Sequence, residues 1–188
     1  HLAAQMVGVG DVFLFFGWFR QIEKAQGRWR YARDAPNLHL LFGWLEVGDV
    51  VPVVVDRERA LQKYPWIRNH PHVANPSHYT HPANTLYVAS ERSRFVPGIE
   101  GAGLFPQLRK PLLLTAPGRS RSAWQLPRWF FPTTNRPALS YHQRLDRWTL
   151  GPDHCQLQSV AKGQEFVLRA GQYPESEHWL RNILSHHV

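Results

Sequence analysis

LHLLFGWLEVGDVVPVVV, residues 38–55, decides the fold class. Its β-branched and aromatic residues read as strand, either two strands or one bent strand. Gly43 and Gly48 hold the natural turn or bulge positions. Upstream, residues 7–20 (VGVGDVFLFFGWFR) open with a Gly-Asp turn and continue as a buried strand. The two stretches echo each other: Phe15-Phe16-Gly17-Trp18-Phe19 matches Leu41-Phe42-Gly43-Trp44-Leu45, and Gly10-Asp11 matches Gly48-Asp49. The echo is too short for a repeat array. It reads as two neighbouring strands under one packing demand. A strand glycine lets another backbone or a ligand approach closely. Trp18 and Trp44 would then flank that gap, or both would be core.

Outward from these strands, residues 21–37 are polar and basic, with Arg28, Trp29, Arg30, Tyr31 and Arg33 close together, and read as a hairpin loop or short insertion. Residues 56–64 form a short helix with Asp56 as N-cap, stopped by Pro65. Residues 66–84 read as one long loop and 85–89 as a strand, followed by loop to 107. Residues 111–115 suit an edge strand, because Pro111 cannot donate to a ladder. Residues 116–137 look irregular, 140–150 strand or short helix, and 154–160 and 165–168 strands. Pro174 opens a C-terminal helix of about three turns, whose Trp179, Leu180, Ile183 and Leu184 form a docking stripe. The sequence therefore predicts an α+β, strand-rich single domain over residues 1–188, with few short helices and that docking helix.

Composition narrows the function. Hydrophobic residues make up 43% of the 188, enough for a core. One cysteine, Cys155, excludes an intrachain disulfide and a thiolate zinc cluster, which points to the cytoplasm. No apolar run approaches the roughly 20 residues of a membrane span. Residues 12–16 are too short for the core of a signal peptide. The first residue is His1 rather than methionine, so a fragment or processed chain with something missing upstream is expected. The net charge is +8, and it is localised: residues 109–147 hold eight basic residues, seven of them Arg, against Asp146 alone. Arg grips phosphate bidentately and stacks on bases, so a nucleic-acid partner is expected. The plainer alternative is a solvated surface.

Three constellations carry candidate chemistry. His70, His72, His78 and His81 fall in one Pro-rich loop. Neutral imidazole suits zinc, copper, iron or nickel, but no Asp or Glu lies between Arg59 and Ser90. The same histidines, His70 and His72 first, could instead donate to phosphate or bases. Arg119, Arg121, Trp124, Arg128, Trp129, Phe130 and Phe131 mix guanidinium groups with large rings, as in sites that stack bases. Some of these rings would be core. Cys155 beside His154 cannot pair with it along a strand and reads as a buried thiol. Gly163-Gln164-Glu165 and the stretch 98–103 lack the context of a phosphate loop, and no GxSxG elbow occurs. No cofactor is indicated.

Four segments in order carry a family resemblance: residues 10–20 (GDVFLFFGWFR), residues 39–45 (HLLFGWL), Tyr64-Pro65-Trp66 with His70-Pro71-His72, and residues 84–90 (NTLYVAS). Together the chain resembles the nucleotide-modification-associated domain family, third subtype. The resemblance implies a DNA base-modification setting in phage or bacteria, and a context rather than an activity. A looser likeness joins the GDxxxFFxW strand to PUA-like and EVE-like mixed β-barrels, which bind RNA or modified DNA bases in an aromatic pocket. It implies Trp18 and Trp44 near that pocket, with Arg20, Arg119, Arg121 and Arg128 on phosphate. The leading expectation is a nucleic-acid-binding module that recognises a modified base. The alternatives are an enzyme on a nucleotide or modified base that uses the histidine loop, and a basic protein that meets an acidic protein partner.

Overall fold

The computed structural model describes residues 1–160 and 165–187, without the Tyr79 side chain. Gly163 and Gln164, read as forming no phosphate loop, lie outside these residues. The fold is α+β, with nine strands among the described residues: β1 (Val12–Phe19), β2 (Ile22–Ala25), β3 (Arg28–Tyr31), β4 (Leu38–Pro52), β5 (Thr85–Ala89), β6 (Ala102–Leu104), β7 (Ala123–Pro127), β8 (Trp148–Leu150) and β9 (His154–Gln158). The helices are α1 (Val53–Lys63), α2 (Pro71–Ala74), α3 (Pro76–Tyr79) and α4 (Ser176–Leu184). None is long and apolar enough to cross a membrane.

The expected barrel is not closed among the described residues. The strands fall into three sheets: β1-β4-β5 with β6 also on β4, the pair β2-β3, and β7-β9-β8. The expected edge strand at 111–115 is not formed. Its first part is a 3-10 turn, Lys110–Leu112, with Pro at the start. Its remainder contributes only isolated bridges, Leu40 to Leu113 and Thr115 to Trp124, rather than a ladder.

The chain divides into two compact units. The larger comprises residues 1–5, 14–44 and 103–188. Its core gathers Leu41, Leu112, Trp124, Leu126, Trp148, Cys155, Leu157 and Ile183. In the β7-β9-β8 sheet Trp124 pairs with Leu157 and Leu126 with Cys155, so alternate residues fill the buried face. β7 replaces an expected irregular segment. Its strand alternation spans only Trp124 and Leu126, between Arg- and Pro-rich flanks. Residues 165–168 form no strand; Phe166 instead packs on Phe16 and Trp124. α4 docks through Ile183 and Leu184, both fully buried, but starts at Ser176 rather than Pro174.

The smaller unit comprises residues 6–13 and 45–102. Here β4 pairs antiparallel with β5, and the register slips between Val47 and Asp49, which places a bulge at Gly48. Its core is Val51, Val53, Ala60, Ile67 and Val73. α1 is two helical segments joined at Asp56, whose φ of −143° and ψ of 41° are non-helical; the segment after Asp56 is the helix expected there, and a short helical segment from Val53 precedes it. The expected loop at 66–84 is a series of short turns. Pro65, Pro71 and Pro76 each open one, and the side chains of His70 and Asn75 accept from the N–H groups of His72 and Ser77. A polar cap followed by Pro at the first helical position is the sequence signal for these turns.

Candidate nucleic-acid interface

Residues 116–123 form a loop on the larger unit, closed where Ala116 N–H donates to Ala123 O at 2.8 Å. Pro117 and Gly118 turn the chain first. Gly118 has φ +67°, a conformation that glycine takes without a Cβ clash, and Arg119 N–H closes that turn on Ala116 O at 3.1 Å. A second turn closes from Ala123 N–H to Ser120 O at 2.9 Å. Between the two lies Arg119-Ser120-Arg121-Ser122. Buried Thr115 anchors it: its hydroxyl donates to Arg121 O at 2.9 Å and accepts His39 N–H at 2.7 Å.

Over this loop stands Trp18, which is 62% exposed at the end of β1. The Arg121 guanidinium lies 4.1 Å from its ring centroid. The indole N–H donates to Asn37 Oδ1 at 2.9 Å, so the ring is held at its edge as well. A stack of this kind at an exposed site contributes about 0.5–1 kcal/mol, enough to bias the guanidinium's orientation. Pro36, Asn37 and residues 119–122 line a depression of about 440 Å³. Ser122 Oγ accepts from Gln158 Nε2 at 2.8 Å, and Arg147 in turn donates to Gln158 O at 3.1 Å. Among the described residues no carboxylate pairs with Arg119 or Arg121. Two guanidinium groups, two hydroxyls and an exposed indole therefore share one face. That set can bind phosphate and stack a base.

The structure thus brings together Trp18, Arg119 and Arg121 within the larger unit. Arg20 is half-buried, donating to Ala32 O at 3.2 Å and lying 5.2 Å over the Tyr31 ring. Trp44 takes the core alternative: it is 5% exposed, packed on Phe105 at 5.1 Å and lying across Gly103. Trp124 is likewise core, 4% exposed, its indole N–H donating to His39 Nδ1 at 3.0 Å. Each ring is enclosed within its own unit. Trp129 is half-buried, stacked 4.0 Å from Phe130, and lines a second depression with Arg128. Arg128 is exposed but donates to the carbonyls of Gly151 and Pro152. Asn37, Thr115, Ser120 and Ser122 escape a reading of the sequence as site residues. Ser-Arg-Ser after a Pro-Gly turn is the available signal.

In the smaller unit, His70, His72 and His78 lie ring against ring, at 5.4 Å and 5.3 Å between centroids, with the last pair stacked. His72 Nδ1–H donates to Asn84 Oδ1 at 2.6 Å, and Asn84 Nδ2 returns a bond to His72 O at 2.8 Å. His70 Nδ1 accepts His72 N–H, and partial burial followed by neighbouring His72 lowers its pKa. His81 Nδ1 accepts Ala83 N–H at 3.2 Å. The rings stack and cap turns. Among the described residues no three His, Cys, Asp or Glu side chains are grouped to hold a metal ion. Cys155 is fully buried, and burial pushes its thiol up to about 11, so it is an unreactive group.

No curated protein and no solved structure matches this chain. Residues 1–169 match the family model described as nucleotide modification associated domain 3. The match spans both units and the whole Trp18–Arg121 face, and the chain belongs to the nucleotide modification associated domain 3 family.

Proposed function

We propose that this protein is the nucleic-acid-binding member of a DNA base-modification system and that it holds the chain on the loop 116–123 and Trp18. The observation that carries this reading is the Arg121 guanidinium stacked on an exposed Trp18 beside Arg119, with no carboxylate among the described residues opposing either cation. In this reading Arg119 and Arg121 take phosphate oxygens, and Ser120 and Ser122 add hydroxyl donors. Trp18 offers a ring to one base, and the depression beside it tests that base's substituents. A lone, buried cysteine suits a cytoplasmic setting.

Equilibrium binding to plain and base-modified oligonucleotides tests the proposal. Trp18→Ala is expected to weaken binding by about tenfold, as loss of one stacked base does, and to reduce any preference for the modified base. Arg119→Ala should weaken all sequences alike. Unchanged affinity in both variants would contradict the proposal. Displacement by an acidic polypeptide, but not by competitor DNA, would point to a protein partner instead.

A further inference from the structure

β2 and β3 form a two-stranded ribbon on the larger unit, turned at Gln26 and Gly27, both at positive φ. Its register sorts the side chains into two faces. Glu23 pairs with Arg30 and Ala25 with Arg28 on one face. That face satisfies itself, since Arg30 Nε donates to Glu23 at 2.7 Å. On the other face Ile22 pairs with Tyr31 and Lys24 with Trp29. There Ile22 is 53% exposed, Tyr31 64% and Trp29 69%. Three large side chains left in solvent on one side of so small an element mark a binding surface.

Charge and spacing identify what it fits. The ribbon's one carboxylate, Glu23, is tied up on the opposite face, while Lys24 and the Arg20 guanidinium over Tyr31 border the exposed rings. A polyanion whose own surface includes flat apolar faces meets both demands. Trp29 and Tyr31 stand two residues apart, about 6.8 Å by the rise of a strand. In a duplex both faces of each base are covered by its stacked neighbours, so exposed rings find free base faces only on an unstacked strand. We infer that the Trp29–Tyr31 face of the ribbon stacks unpaired bases of single-stranded nucleic acid. The inference rests on the proposed nucleic-acid binding and extends it: the loop 116–123 grips phosphate generally, and the ribbon selects unpaired strand.

The test uses the full chain with oligo-dT and with its duplex on oligo-dA. Thermal midpoints of the exposed-ring variants are compared with the parent as the control for folding. The double variant Trp29→Ala/Tyr31→Ala is expected to lose at least about tenfold in affinity for oligo-dT, since each stacked base matters on that scale, and to change little on the duplex. Arg30→Ala, on the opposite face, should change neither. Arg121→Ala should weaken both. If the double variant binds oligo-dT like the parent while Arg121→Ala is weakened, the ribbon inference falls and the loop reading stands. Equal losses on single strand and duplex also overturn it. A parent chain that binds neither ligand overturns both readings.

Discussion

His142 is fully buried and uses both ring nitrogens: Nδ1–H donates to Ser140 O at 2.9 Å, and Nε2 accepts Val160 N–H at 3.2 Å. Burial lowers its pKa, the bond to Ser140 pulls the other way, and Arg147 lowers it further. His39 is also lowered, by burial and then by Arg121, and its Nδ1 is occupied by the Trp124 N–H. In both the neutral form is favoured, and protonation would remove the acceptor each bond needs. The unfolded chain, with histidines near pKa 6.5, therefore binds more protons than the folded one. Stability should be fully present above about pH 6.5 and be lost as pH falls toward the depressed folded values. Thermal midpoints from pH 8 to pH 5 check this: a plateau followed by a fall is expected, and the fall should be shallower in His142→Gln. A midpoint independent of pH would contradict it. Cys155, its thiol pushed up to about 11, should resist thiol reagents until the chain unfolds. The burial of Cys155 was legible in the sequence, whereas that of His39 and His142 was not, because nothing local distinguishes a buried histidine from a surface one.

At the scale of elements, the two Phe-Gly-Trp echoes part company. A Cβ on Gly43 would stand 2.7 Å from Gly103 O, so the group that approaches the strand glycine is the chain's own backbone. A Cβ on Gly103 would meet the Trp44 ring at 2.3 Å. β4 is interior to its sheet and buries Trp44, while β1 lies at the sheet's edge and leaves Trp18 exposed. The sequence shows the shared pattern but not which strand is interior, so it marks both tryptophans and cannot part them. Gly43→Ala should destabilise the protein by about 2 kcal/mol through overpacking against backbone, measured by denaturant unfolding; a change near zero would mean that β6 can move aside. β4 was readable from its long run of aromatic and aliphatic residues and β5 from the short apolar run TLYVA. β7 was not, since two alternating residues among Pro and Arg carry little periodicity.

Over the whole molecule, the basic residues of the run 109–147 differ in their partners. Arg136 pairs with Glu175 at 3.1 Å, Arg144 pairs with Asp146, and Arg128 bonds to backbone carbonyls. Charge counting along the sequence located the region. Only the fold showed that Arg119 and Arg121 lack acidic partners among the described residues, and that Arg121 meets Trp18, some hundred positions away. Family membership supplies the setting of nucleotide modification and leaves the chemistry of this face to be measured.

That measurement is the salt dependence of oligonucleotide binding by the parent and by Arg119→Ala/Arg121→Ala. On duplex each neutralised phosphate contributes about −0.9 to the slope of log affinity against log salt. If the loop carries the phosphates, the double variant should bind more weakly at every salt concentration, with a slope shallower by about 2. Parallel lines of equal slope and affinity would place the phosphate contacts elsewhere and contradict the loop 116–123 as the interface.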